Sequence, residues 1–428
     1  MVATKKWFVH YSFLCVAVVA LVVRLAYNLT VAHGYFPLHD SLTYQTIADH
    51  LRLDGCYCFS PHVPTVERAP LWPFVIAGLE MLIGPSNQGV RLFLCFVGTG
   101  TCLLLFCFAR DLFGLWFGFL SGLIGALYPF LFMYDGWLYA ESLYTFLLLA
   151  FCYSLFCFHR SPEKISPWLP GLLLALLALT RPNGLSLLAL FWLWCGLVGW
   201  AQVLSWVQVK RCWLCVSLVT LLFVAPWTIR NVMVSGAFIP VAVGDGKVLV
   251  GAYNDSVLHL PYYLGIWVRP EESVPQMNQS FPAVCTASCE VKRDAAYRST
   301  AWQWMLSHPS QLPYLLSLHF LNTWQNTTQE ADLPSNRFLE RRSSHKLMTA
   351  TKLLTPPLLL CAALGFVLSW QRWRDWIFAY LFLLFTIVQN IVLYGIPRFR
   401  APLEPLLILW AVGVLWWCML HLRRLRKK

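Results

Sequence analysis

The chain has 428 residues, of which 58% are hydrophobic and only 12% charged, and its mean hydropathy is +0.59. Such a composition excludes a soluble domain of any fold class and describes a polytopic membrane protein. The formal charge of +12 calls for no nucleic acid, because basic cytoplasmic loops and arginines facing anionic lipid head groups account for it.

A membrane span needs roughly 20 apolar residues. In chain order, candidate spans fall at residues 8–28, 90–109, 112–133, 140–158, 166–181, 183–200, 212–229, 354–371, 375–395 and 402–422. The N-terminal MVATKK leads into the first of them without a small-residue cleavage site, so that span is expected to remain uncleaved. Many of the 21 Trp stand at the ends of apolar runs, as interfacial belts require. The segment 71–84, LWPFVIAGLEMLIG, is apolar but short and carries Glu80. Charge decides its place. With ten spans, the short segments at Lys5/Lys6, Arg110, Arg160/Lys164, Lys210/Arg211, Arg372/Arg374 and the terminal RRLRKK are all cytoplasmic and all basic. An eleventh span would invert part of that pattern, so 71–84 is expected to lie flat in the outer interface. Both termini are then cytoplasmic.

The expected fold is a single all-α membrane domain over 1–428, with a first outer loop at 30–89 and a large outer loop at 230–353. The second loop is too long for a simple connection. Within it, 297–324 has helical apolar spacing interrupted at His308 and Pro309, which predicts two short helices against the membrane. Most of the 15 Cys lie inside apolar runs and act as small hydrophobes. Cys56, Cys58, Cys285 and Cys289 stand in polar stretches, where a disulfide is allowed but its pairing is not readable. With His62 nearby their spacings match no zinc motif. Asn28, Asn254, Asn278 and Asn326 begin N-x-S/T sequons, which matter only in a eukaryotic cell.

Asp40 sits in GYFPLHDSLTYQTIADHL, just after the first span, and Tyr44, Ile47, Ala48 and Leu51 follow it at helical spacing. A carboxylate held at a membrane edge is placed for chemistry, although Asp is also a common helix N-cap. Arg68, Asp135, Glu141, Arg181, Arg230, Arg398 and Arg400 share that outer side, from widely separated parts of the chain. Arginines at membrane edges often snorkel to lipid phosphates. The positive-inside rule, however, predicts few of them outside, and a guanidinium fork matches phosphate oxygens. Convergent outer arginines therefore point to a bound phosphate. Glu141, inside the apolar run LYAESLYTFLLLAF, needs a facing arginine, a polar ligand or a metal, whereas Asp135 stands at the water edge.

At these residues the chain resembles the GT-C glycosyltransferases, of the bacterial glycosyltransferase family 39 type related to protein O-mannosyltransferases and the lipid A aminoarabinose transferase. The resemblance runs through D-x-x-x-Y-x-x-I-A-x-x-L from Asp40, R-A-P-L-W-P at Arg68 to Pro73, AES at Glu141, L-T-R-P at Arg181, P-W-x-I-R-N at Pro226 to Asn231, and R-F-R-x-P-x-E-P from Arg398 to Pro405. It implies inverting transfer from a polyprenyl-phosphate sugar, with Asp40 as catalytic base and Glu141 orienting the acceptor or an arginine. Arg68, Arg181, Arg230, Arg398 and Arg400 would hold the donor phosphate, and Tyr44, Asp135 and Asn231 would line the substrate. The first loop lacks the Asp-Glu pair of the protein O-mannosyltransferases, since His39 precedes Asp40 and Ser41 follows it. Acceptors open on this reading are an envelope glycan, a lipid or a protein. Related enzymes differ in metal use, so a divalent metal stays open, though no His/Asp ligand motif is present. The expected location is a bacterial inner (plasma) membrane, with the site on the extracytoplasmic face. A transporter or flippase would also place charges among helices, but near the midplane and with repeated halves, and no repeat is visible here.

Overall fold

The computed structural model describes residues 2–326 and 341–425. Residues 327–340 of the long loop, the end of the Asn326 sequon and the last three residues of RRLRKK lie outside them. The described residues form a helical bundle. Their only strands, Cys58–Ser60 and Val63–Pro64, make a small antiparallel pair in the first loop.

Seven helical segments among the described residues are long and apolar enough to cross a membrane, or eight if the bent pair Leu115–Leu127 and Pro129–Gly136 is one span. All ten expected segments are helical, but two fall short of a straight crossing. The 112–133 segment bends by 63° at Tyr128 and Pro129, because proline restricts the residue before it and cannot donate to the preceding turn. The 166–181 segment forms only the 13-residue helix Trp168–Thr180, stopped by Pro182. The continuous apolar stretch Lys346–Val392 folds back on itself around Trp370–Arg372. Phe366 and Tyr380 sit 5.0 Å apart there, whereas a straight helix would separate them by about 21 Å.

The ends of the Glu141–Arg160 helix define the two ends of the bundle, about 28 Å apart at 1.5 Å per residue. Arg160 shares Asp375 with Arg372, Arg372 donates to the Leu112 carbonyl, and Tyr153 and Arg110 bind Asp111. Several of the basic residues counted as cytoplasmic thus gather at one end. The loops gather at the other.

In the first loop the Asp40–Asp54 helix buries Tyr44, Ile47, Ala48 and Leu51 against Trp72, Ile76 and Ala77 of the Leu71–Ile83 helix. Gln45 of one helix donates to Glu80 Oε1 of the other at 2.9 Å, and Arg52 stands 3.8 Å from Oε2, which gives the acid of this apolar segment partners on the facing helix. In the long loop, the Ala287–Ser307 and Leu312–Thr323 helices are divided at His308, as the sequence predicts. Both polar cysteine pairs are bonded locally, Cys56 to Cys58 and Cys285 to Cys289. Two sequons are structural instead: Asn28 is buried and donates to the Arg24 and Asp135 carbonyls, and the Asn254 amide donates to those of Val250 and Gly251.

Candidate active site

A cavity of about 1000 Å³ opens at the loop end of the bundle, between the first loop, the long loop and the ends of the helices. Asp40 stands on its wall, in the first turn of its helix, where a negative charge meets the partial positive charge of the helix N-terminus. The residue before the helix is His39, in a left-handed conformation with φ 52°, so Asp40 is not the N-cap. Its carboxylate is engaged by guanidiniums on both sides. Arg68 Nη2 donates to Oδ1 at 2.8 Å and Arg398 Nη2 to Oδ2 at 2.9 Å. Burial alone would raise the Asp40 carboxyl, but Arg68 and Arg398 outweigh it and hold the group well below the usual carboxylate range.

Arg398 continues the chain of contacts. Its Nε donates to Glu141 Oε1 at 2.5 Å, and its guanidinium lies 4.0 Å from the centre of the Tyr139 ring. Glu141, 1% exposed at the start of its helix, also meets Arg181 at 3.4 Å. Arg181 lies between the rings of Tyr144 and Phe399, and Arg68 lies over the Tyr44 ring. Two carboxylates and three arginines from five distant segments therefore form one connected group. Proline fixes two of its members: Pro182 ends the helix at Arg181, and Pro397 opens the short turn that carries Arg398.

Arg68 owes its position to a strap, residues 57–68, braced from the long loop. Glu290 accepts from Thr65 Oγ1 and the Val66 amide, each at 2.8 Å, and Arg293 pairs with Glu67. The Tyr57 hydroxyl reaches the carbonyls of Arg68 and Ala69 at 3.1 Å. Burial, then the neighbouring Glu67, push the Glu290 carboxyl up to about 7.

The remaining sequence candidates sit elsewhere. Arg230 braces the strap, donating to the carbonyls of Thr65 at 2.6 Å and Tyr57 at 3.2 Å while stacking on Trp227. Asn231 donates to the carbonyls of Ile239 and Val241. Arg400 is fully buried with Glu404 and donates to the Thr323 carbonyl. Asp135 is not at a water edge: it is buried in the bundle, paired with Arg24 at 2.7 Å. Gly98 has no side chain to obstruct that pair, and a Cβ there would collide with it. None of these four lines the cavity. The partners of Arg230 and Asp135 lie far away in sequence and those of Asn231 are main-chain carbonyls, neither of which leaves a local pattern, whereas Arg400 meets Glu404 at an i,i+4 spacing that the sequence does show.

The sequence reasoning missed Tyr139, Asn183, Lys247, Gln389 and Asn390, all on the cavity wall. The adjacent Gln389 and Asn390 had a signal, since two amides in an apolar span need partners. Among the described residues no group of three or more His, Cys, Asp or Glu side chains could hold a metal ion, and Asp40 and Glu141 face arginines instead.

Residues 67–229 match the family model of dolichyl-phosphate-mannose-protein mannosyltransferases, a stretch that includes Arg68, Glu141 and Arg181 but stops short of Asp40 and Arg398. No curated protein sequence matches the chain. Among solved structures, it is similar to the oligosaccharyltransferase AglB of Archaeoglobus fulgidus in complex with an inhibitory peptide and a dolichol-phosphate. That likeness has 14% identity and a TM-score of 0.57, over 98% of this chain and 52% of that one. An Archaeoglobus fulgidus oligosaccharyltransferase tethered with an acceptor peptide gives 12% identity and a TM-score of 0.59, over 98% of this chain and 51% of that one. ArnT from Cupriavidus metallidurans in the apo state has 15% identity over 96% of this chain and 78% of that one, with a TM-score of 0.46. The chain spans about half the length of the archaeal structures. The family match covers 163 of the 428 residues, and the likeness to the archaeal structures is one of fold.

Proposed function

We propose that the protein transfers a sugar from a polyprenyl-phosphate donor to a hydroxyl or amine acceptor, with inversion, in the cavity that holds Asp40. The observation that carries this reading is the alternation Arg68, Asp40, Arg398, Glu141, Arg181, in which Asp40 and the three arginines line the cavity and Glu141 is buried behind them. Guanidiniums so gathered can take the oxygens of a phosphodiester, and their carboxylate partners keep them positioned until it arrives.

The depressed Asp40 carboxyl defines the order of events. While clamped between two arginines, Asp40 is a weak base. A donor phosphate that draws Arg68 and Arg398 onto its own oxygens removes the charges that depress Asp40, so its basicity rises when the substrate is in place. The acceptor oxygen or nitrogen then attacks the anomeric carbon while Asp40 takes its proton. The bond from that carbon to the phosphate oxygen breaks, and its electron pair leaves on the phosphate. The arginines stabilise the developing charge, and Glu141 keeps Arg181 and Arg398 aimed at it.

The basic residues at the far end of the bundle and the bonded cysteine pairs near the cavity support a site on the extracytoplasmic face of a plasma membrane. A lipid, a glycan or a protein can serve as acceptor on this reading. The test is Asp40→Asn in membranes supplied with a polyprenyl-phosphate sugar. Turnover is expected to fall at least about 100-fold, a barrier change of roughly 2.7 kcal/mol. Full turnover in folded protein would remove Asp40 as the base.

A further inference from the structure

Beside the arginines the cavity wall changes character. Tyr144, Asn183, Gln389 and Asn390 line it where the Glu141–Arg160 helix, the Arg181 break and the Trp373–Val392 helix meet. Asn183 donates to Gln389 Oε1 at 3.0 Å, which ties two of the segments together. Beyond that bond the group is short of partners. The Tyr144 hydroxyl, the Asn183 carbonyl oxygen and both amide atoms of Asn390 are buried without a hydrogen bond. Asn390 is 1% exposed and Tyr144 2%.

Buried polar groups are nearly always paired, and each one left unpaired costs about 1–3 kcal/mol. Four such atoms stand together on one wall of one cavity, where a ligand can pair them. An apolar residue at position 390 would fill the space without that cost. The groups are also all uncharged, and their chemistry is mixed: the Asn390 amide can donate and accept, the tyrosine hydroxyl can do either, and the Asn183 carbonyl accepts. That set complements sugar hydroxyls, which both donate and accept. It gives no counter-charge for an ammonium or a carboxylate.

We propose that Tyr144, Asn183, Gln389 and Asn390 form a subsite for the transferred sugar, and that this sugar is neutral, a hexose or an acetamido sugar. The inference rests on the donor reading above and adds the class of sugar to it. Arg181, which lies 5.8 Å from the centre of the Tyr144 ring, joins the phosphate group to this subsite. A sugar linked to a phosphate held by Arg181 and Arg398 therefore has these amides within reach. A site built to bond a hydroxyl strongly rejects an analogue that lacks it, because the buried partners are left unpaired.

The experiment uses the purified full chain, its Asn390→Leu and Tyr144→Phe variants, and three polyprenyl-phosphate donors carrying a neutral hexose, an N-acetylhexosamine or an amino sugar with a free ammonium. It records donor consumption, binding of sugar-free polyprenyl phosphate, and melting temperature. Wild type is expected to consume one of the neutral donors at least 10-fold faster than the amino sugar. Each variant should lose 10- to 100-fold in kcat/KM on that donor, bind polyprenyl phosphate as wild type does, and melt no lower than wild type. The absence of a stability loss separates a ligand-binding amide from a structural one. Variants that keep full activity, that melt lower, or that lose polyprenyl-phosphate binding in parallel would overturn the subsite, as would a preference for the amino sugar. A wild type that binds no polyprenyl phosphate at all would overturn the donor reading itself, and the subsite with it.

Discussion

Replacing Arg398 with methionine breaks the connected group at its centre. The guanidinium makes two contacts of unequal depth, one to Glu141, which is 1% exposed, and one to Asp40, whose side chain is 30% exposed. Removing one partner of a buried pair costs about 3–5 kcal/mol, because the other charge is left buried and uncompensated. The contact to Asp40 is open to solvent and is retained in part by Arg68, so it adds less than about 1 kcal/mol. Arg181, 3.4 Å from Glu141, offsets some of the first loss. The expected net destabilisation is on the order of 3 kcal/mol. Adding Glu141→Gln to Arg398→Met removes the stranded charge, so the double variant should recover about 2 kcal/mol while remaining inactive. Melting temperatures of the wild type, both single variants and the double variant in one detergent measure the coupling, and polyprenyl-phosphate binding follows the functional loss. An Arg398→Met protein as stable as wild type, or a double variant no more stable than the single one, would refute the assignment of Glu141 as a buried anion held by Arg398.

Asp40→Asn should strengthen the binding of polyprenyl phosphate even as turnover falls, because it frees Arg68 and Arg398 from their internal anion; weaker binding in a titration would count against that exchange. Arg24→Met should destabilise the protein by about 3–5 kcal/mol and Arg24→Met/Asp135→Asn should regain most of it, with kcat/KM near wild type, since the Arg24–Asp135 pair is buried away from the cavity. If the double variant is stable but inactive, Asp135 has a role at the site after all. Glu290 gives a pH signature. Its folded carboxyl titrates near 7 against an ordinary value of 4.5, so the native state holds the proton more tightly and stability declines as pH rises from about 4.5 through 7. The decline is at most about 3 kcal/mol. Glu290 faces Arg230, Glu67 and Tyr57 as well as Arg293 of its own helix, and Glu290→Gln should flatten that part of the melting profile. An unchanged slope between pH 5 and 8 would show that other groups set it.

The helices were legible because a run of about 20 apolar residues has few alternatives in a membrane. The Asp40–Asp54 helix was legible from its spacing and the division near His308 from its proline. The bend at Pro129 and the shortness of Trp168–Thr180 were not, since hydropathy reports apolarity and not direction. Asp40, Arg68, Glu141, Arg181 and Arg398, which the structure joins in one connected group, stand out in the sequence because a charge at a membrane edge is conspicuous. Arg230 and Arg400 were equally conspicuous, and composition gave no means of telling them apart. What separates them is a carbonyl on the 57–68 strap in one case and Glu404 in the other. Asn390 was overlooked for the opposite reason: an uncharged amide barely disturbs a hydropathy profile, although burying it unpaired is expensive.

The alternating charges on the cavity wall also bear on what the protein ignores. Arg68, Arg398 and Arg181 are each within 3.4 Å of a carboxylate oxygen, so the wall has little unspent positive charge to offer a passing anion. Inorganic phosphate or a soluble sugar phosphate would have to displace Asp40 with nothing but its own charge. A lipid-linked phosphate arrives with a tail already buried in the bilayer, and confinement to the membrane plane raises its local concentration at the cavity mouth. On the proposed reading, internal pairing of this kind would filter for phosphates that are anchored, without any contact to the anchor.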